Sequence, residues 1–411
     1  MTWRESLEPL ADRRFRFFFA SRAVNFWGSV MAPIALAFAV LAIEDSAAAL
    51  GQVLAARSIP MVVFLLLGGV LADRLGRWRV IQASNLVAAL SQGLAAWLVI
   101  TGNAELWHLV VIEAVNGTSS AASFPAMQGM VPQLVPRPQL QSANVLLSMA
   151  RGALVVVGPT TAALLVVGVG PGWALAVDAL TWVVAMALFL PVRIPHRVAT
   201  GVTGIVGDLR DGWTYFRSTT WLWVVVLAFG LLNVIMAGLW HTLGPPVAKE
   251  TIGIPGWGYA LSAQAVGLLV TTVVLLRVSI RFPLRAGMLG CMLFAAPLLL
   301  MGFQPVLLPL VVAMFVAGAG IEVFGVGWNV AMQEHVPEEM LSRAYSYDAL
   351  GSYVAIPLGQ LLAGPLGDWL GYRTVLVGAG VVYAGVCLLT LASPAVRNLE
   401  RRAEDPAPAA T

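Results

Sequence analysis

Charge is scarce in this chain. Asp, Glu, Lys and Arg make up 11% of its 411 residues, whereas 59% are hydrophobic and the mean hydropathy is +0.83. Soluble proteins carry about 25% charged residues. A chain this long without that polar surface cannot shield its apolar side chains from water, so lipid is its solvent. Lysine is nearly absent: Lys249 stands alone among 24 basic residues, the rest being arginine. That bias, with the richness in Ala and Gly, suggests a GC-rich genome. There are two cysteines, Cys291 and Cys387, both inside apolar segments, and they read as buried free thiols. The four histidines, His108, His196, His241 and His335, lack metal-ligand spacing, and no HExxH, GxSxG or phosphate-binding loop occurs. These absences speak against an enzyme and against an ATP-driven pump; no cofactor and no metal is expected. The pI of 9.1 reflects loop arginines beside a membrane and does not call for nucleic acid. The first apolar run, about 17–43, is too long for a signal peptide and lacks a cleavage site.

What the chain does have is about twelve apolar spans, each near the ~20 residues that cross a bilayer. Six fall in 1–192 and six in 220–396, separated by a polar linker at 193–219 with a short surface helix and followed by a Pro/Ala-rich tail at 397–411. Arginines crowd the N-terminus, the second-to-third loop, the linker, the eighth-to-ninth loop and the C-terminus. Most of the intervening loops carry acids such as Glu44, Asp45 and Glu105. The positive-inside rule then puts both termini in the cytoplasm, which requires an even number of spans. The chain also echoes itself. Val135-Pro136, with Leu140, Ala143 and Gly158, is repeated as Val336-Pro337 with Leu341, Ala344 and Gly359. The spacing is close to half the chain, as expected for two six-helix halves related by an axis along the membrane normal.

The turn between the second and third spans, Gly69 to Arg79, contains Asp73-Arg74, Gly76-Arg77 and Arg79. It resembles the loop signature of the major facilitator superfamily of secondary transporters, departing at Trp78, where a second basic residue is common. Phe124-Pro125-Ala126, Pro132 to Pro136, Trp173 with Asp178 to Thr181, and Val336 through Arg343 to Gly359 look like the bacterial exporter branch that includes macrolide and siderophore efflux proteins. The resemblance spans essentially the whole chain. It implies an all-α polytopic fold of two pseudo-symmetric six-helix halves, in the bacterial cytoplasmic membrane. It further implies a monomer that exports a small amphipathic drug, antibiotic or siderophore-like compound by alternating access, commonly against protons. A facilitator or importer of the same fold, or a non-transporting sensor, is the alternative. The family's gating role falls on Gly69, Asp73, Arg74, Gly76, Arg77 and Arg79. Asp73 is expected to approach the start of the eleventh helix, near Ser342–Tyr345, when the cytoplasmic side closes. Two departures matter. Gly158-Pro159 is followed by Thr160-Thr161-Ala162-Ala163, so the fifth-helix antiporter signature is incomplete. In the fourth helix Glu113 stands where many exporters carry an arginine.

A charge in hydrocarbon costs about 2.5–3.5 kcal/mol and should face a cavity or a partner. Counting about 1.5 Å per residue puts Glu113 and Arg57 both about 10 Å deep from the outer side. They can therefore pair, with Arg151 as the competing partner. The pair either locks packing or carries the transported proton; Glu322, among the glycines of the tenth helix, is the reserve acid. Asp178 reads as a structural hydrogen-bonding group, and Arg22 and Asp348 as groups near helix ends that snorkel to water. The resemblance assigns the central cavity to helices one, four, seven and ten. On these helices Asn25, Trp27, Asn116, Asn233, Trp240, Trp328 and Asn329 would suit an amphipathic substrate or serve helix packing. Trp107, Trp221 and Trp257 read as interfacial anchors.

Overall fold

The structure is a computed structural model describing residues 7–128, 130–136, 139–193, 213–275, 277–278 and 280–401. Side chains are described except at 65–74, 125, 128, 132, 140–141, 144–145, 338–339, 341–343 and 346. Twelve membrane-length helices can be numbered. The first six are α1 (Arg13–Ile43), α2 (Ala47–Leu75), α3 (Arg77–Ile100), α4 (Leu106–Gln128), α5 (Leu140–Val169) and α6 (Pro171–Phe189). The next are α7 (Thr220–Glu250), α8 (Gly253–Leu275), α9 (Pro283–Phe303) and α10 (Leu307–His335). α11 runs in two pieces, Glu338–Tyr353 and Ile356–Leu370, and α12 is Tyr372–Ala392. Among the described residues there are 11 helices long and apolar enough to cross a bilayer. The membrane-length helix outside that set is α4. Its length suffices, but His108, Glu113, Asn116 and the run Thr118-Ser119-Ser120 lower its hydropathy. The polar groups of this fourth span must be sheltered by its neighbours.

Local chemistry explains the ends and breaks. Asp12 caps α1, accepting from the backbone N–H groups of Arg14 and Phe15 at 2.7 and 3.0 Å. One residue, Gly76 at φ 89°, connects α2 to α3, and Gly371 at φ 84° does the same between α11 and α12. Only glycine adopts this conformation without strain. α9 breaks after Met292 and α11 after Tyr353, four or five residues before Pro297 and Pro357, whose rings clash with the carbonyl one turn back. α7 widens into a π segment at Val234–Trp240, just ahead of Pro245-Pro246. The two Val-Pro dipeptides occupy matching places. Val135 (ψ 149°) and Val336 (ψ 129°) are extended residues ahead of a proline, and α5 and α11 follow them.

Alternation across twelve helices puts both described chain ends on one side, the terminal end. Packing between the halves runs along α2/α11 and α5/α8. Near the opposite end, a Cβ on Gly51 would run into the Gln360 carbonyl, and one on Gly364 into Ala48. Thr160 and Ser262 share a 2.8 Å hydrogen bond, and Lys249 pairs with Asp45 at 2.9 Å. Bare backbone meets bare backbone there, as small residues allow in membranes. At the terminal end, residues 213–218 form a short helix whose Trp213 and Phe216 rings pack on Tyr347 of α11 at 5.7 and 5.6 Å. The outer face presents apolar side chains such as Leu90, Trp97, Leu308 and Leu389, which suits lipid.

Candidate functional site

α2, α3 and α4 converge on one carboxylate. Gly117 of α4 sits directly over the Arg57 carbonyl, where any Cβ would overlap it, so α2 and α4 approach to backbone contact. That approach delivers Arg57 Nη1 to Glu113 Oε2 at 3.3 Å. Gln92 Nε2 and Asn116 Nδ2 each donate to Glu113 Oε1 at 3.2 Å. Ser91 in turn donates to Asn116 Oδ1 at 2.6 Å. Glu113 is fully buried, while the Arg57 side chain keeps 30% of its exposure. Of the two arginines open as partners, Arg57 holds the carboxylate. Arg151 instead stands over the Phe26 ring at 5.3 Å.

A second acid lies close by. Asp178 of α6 is buried against α1, where a Cβ on Gly28 would meet its carboxylate. Among the described residues neither carboxylate oxygen has a hydrogen bond of good geometry, although the Thr181 and Trp182 side chains lie beside it, and the buried Asn25 Nδ2 lacks a partner as well. Arg57 and Glu113 are within electrostatic reach of Asp178. Within α6, Thr181 Oγ1 donates to the Asp178 carbonyl at 2.7 Å. An aspartate in an apolar helix was visible in the sequence, but its place in the Glu113 cluster depends on how α6 packs. In the other half, Glu322 is half-buried and accepts from Thr272 Oγ1 at 2.7 Å. Asp348 accepts from Trp328 Nε1 at 3.0 Å, so it is tied to α10.

The amides and tryptophans named from the sequence separate into groups. Asn116 spends its amide on Glu113 and Ser91. Trp240 is buried among Trp257 and Phe294, and Trp328 between Trp221 and Phe324. Trp27 is half-buried; Asn233, also half-buried, donates to the Ser352 carbonyl at 3.2 Å. Asn329 is exposed and accepts from Tyr345 Oη at 3.1 Å. Of the three expected anchors, Trp107 is 58% exposed, but Trp221 and Trp257 are buried packing residues, which corrects that expectation. A recess of about 180 Å³ lies between α1, α5 and the turn after α4, with Arg22 and Arg151 in its wall.

In the second-to-third turn, the side chains of Gly69, Asp73 and Arg74, and that of Ser342, lie outside the described residues. Arg79 is exposed and Arg77 half-buried. Trp78, the departure from the loop signature, donates from Nε1 to the Phe189 carbonyl at 3.3 Å and carries the Arg193 guanidinium over its ring at 5.1 Å. It ties the turn to the end of α6.

The sequence and the fold have relatives. Over residues 4–410 the chain matches the family described as transmembrane secretion effector. It is 23% identical over 388 residues to the multidrug efflux pump Tap of Mycobacterium tuberculosis, covering 91% of each chain. It is 22% identical over 404 residues to macrolide efflux protein A of Streptococcus pyogenes, covering 94% of this chain and 97% of that one. The nucleoside transporter NupG superposes with a TM-score of 0.71 at 14% identity, covering 92% of this chain and 98% of that one. A bacterial homologue of the lysosomal transporter Spinster gives 0.64 at 14%, covering 98% and 100%. The match along nearly the whole chain, on a fold of two packed helical halves with ionisable groups held inside it, shows that this protein belongs to the transmembrane secretion effector family of major facilitator transporters.

Proposed function

We propose that this chain exports a small amphipathic organic compound across the bacterial cytoplasmic membrane in exchange for protons, working as a monomer with both termini in the cytoplasm. The observation that carries this reading is the full-length similarity to two efflux proteins. The arginine-rich loops all belong to the terminal end, which the positive-inside rule assigns to the cytoplasm. In that orientation the α2/α11 and α5/α8 contacts close the outer side, and the terminal end is the side that opens to the interior of the cell. Compound enters between the halves from the cytoplasm, and rocking of one half against the other exposes it outside. Glu113 is the coupling acid: in the described state it is buried in a pair with Arg57, and the rocking of the halves changes its access to the two sides. Substrate must bias that step, since a ligand shifts an equilibrium only by its differential affinity for the two states. Glu322, held by Thr272, is the reserve acid, and the Gly69–Arg79 turn is the cytoplasmic gate.

Flux into proteoliposomes tests the reading. Purified protein is reconstituted into vesicles with an acidic lumen and offered a panel that includes a macrolide. Accumulation of a panel member that collapses with a protonophore is expected. Downhill flux indifferent to the pH gradient makes the protein a facilitator; no flux of any member makes it a sensor.

A further inference from the structure

Arg22 and Arg151 face each other's field across the recess between α1 and α5, and Arg151 is the charged neighbour that Arg22 feels. Neither has a carboxylate partner among the described residues. The contrast with Arg57, which is matched to Glu113, is plain. Arg22 is half-buried and Arg151 exposed over the Phe26 ring; two like charges brought to one recess oppose each other, and charge inside a membrane protein is costly unless it is used. Arrangements of that kind mark a binding function. The remaining wall is aromatic and apolar: Phe18, Phe19 and Phe26 on α1, with Leu147 and Leu154 on α5. Ser148 adds a hydroxyl at the rim. About 180 Å³ is too small for a whole drug-sized molecule, whose pockets run to several hundred Å³. It is the right size for an anionic group with one ring attached, the rest of the molecule lying in the space between the halves.

We propose that this recess binds the anionic head of an amphipathic substrate, a carboxylate, sulfonate or phosphate, with the two guanidinium groups on the charge and the phenylalanines on the adjoining apolar part. Arginine suits this task because its planar fork meets an oxyanion with two parallel hydrogen bonds. The proposal rests on the export reading and narrows its substrate to anionic amphiphiles.

The test uses dansylglycine, an anion, and dansyl-ethylenediamine, its cationic counterpart, with tryptophan-to-dansyl energy transfer on the full chain in phosphatidylcholine nanodiscs. The wild type should bind the anion at least about tenfold more tightly than the cation. Arg22→Gln and Arg151→Gln should each weaken the anion by about tenfold or more and leave the cation unchanged. Arg151 is exposed, so its variant is read even where Arg22→Gln fails gel filtration; Arg22→Lys, which keeps the charge, should lose less than Arg22→Gln. Equal binding of the two probes by the wild type, or unchanged anion binding in Arg151→Gln, overturns the proposal. Raising the phosphatidylglycerol content separates two sources of the same chemistry. Competition by that lipid supports the anion site with a lipid headgroup as occupant, and indifference supports it with a soluble substrate. Flux of the probes in proteoliposomes keeps the two readings apart. Transport of both without charge preference overturns the anion site and leaves export standing. Anion-selective binding without any flux supports the site and overturns export.

Discussion

Glu113→Gln is the substitution that divides packing from coupling. Three donors converge on Glu113 within 3.2–3.3 Å: Arg57, Gln92 and Asn116. Glutamine keeps the shape and one acceptor oxygen, but its amide nitrogen must then face a donor. Removing one partner of a fully buried ion pair costs about 3–5 kcal/mol, because a buried charge is left alone. The Arg57 side chain is 30% exposed, so water recovers part of that cost, and about 2 kcal/mol is expected. For a six-helix half melting as a unit, this corresponds to a melting temperature lower by about 4–8 °C. Adding Arg57→Leu removes the orphaned charge and leaves the glutamine to meet Gln92 and Asn116. The double variant should regain most of the lost stability. It should nonetheless fail to accumulate substrate from a pH gradient, while downhill exchange persists. Melting curves and proteoliposome flux on the wild type and both variants decide the matter. An unchanged melting temperature for Glu113→Gln would refute the ion pair. A variant that still builds a substrate gradient from a pH gradient would reduce Glu113 to packing and bring Glu322 forward.

Asp178→Asn should leave the melting temperature unchanged or raise it by a few degrees, since neither buried carboxylate oxygen has a well-formed hydrogen bond among the described residues and a neutral amide is less costly to bury there; a marked drop would mean that Thr181, Trp182 or Arg57 holds the carboxylate. Gly364→Val places a branched side chain against the Ala48 backbone. Overpacking of this kind costs about 1–3 kcal/mol, so spin labels at Asp45 and Lys249 should report a larger separation, and an unchanged distance would count against the seam. Asp73→Asn should reduce transport and shift the same label distances toward the cytoplasm-open state if the Gly69–Arg79 turn is the gate.

The helix count and the pairing of Glu113 with Arg57 were legible because apolar length and distance from a helix end are linear properties of a chain. Which face of each helix points inward was not. In a soluble helix the polar stripe marks the water side, but here the lipid side and the core side are both apolar. The sequence therefore leaves Trp240 and Trp328 open between cavity and packing, and their rings pack within the second half. Trp221 and Trp257 failed as anchors for the same reason. The break in α9 and the widened turn in α7 were also hidden. Each needs a proline together with neighbours that tolerate the distortion, and the second condition is tertiary. Arg22 reads from the sequence as a snorkelling end residue; only the approach of α5 to α1 brings it into one recess with Arg151.

The seam between the halves has an energetic consequence. Where Gly51 meets Gln360 and Gly364 meets Ala48, backbone lies on backbone, and the one ion pair described across the closed end, Asp45–Lys249, is exposed and worth at most about 1 kcal/mol. Parting such surfaces frees few side-chain torsions and strands no buried charge. The closed and open arrangements can therefore lie near each other in free energy, and their balance is soft. Reversing a 1:99 preference takes about 5.5 kcal/mol of differential binding, a sum that one well-placed small molecule can supply.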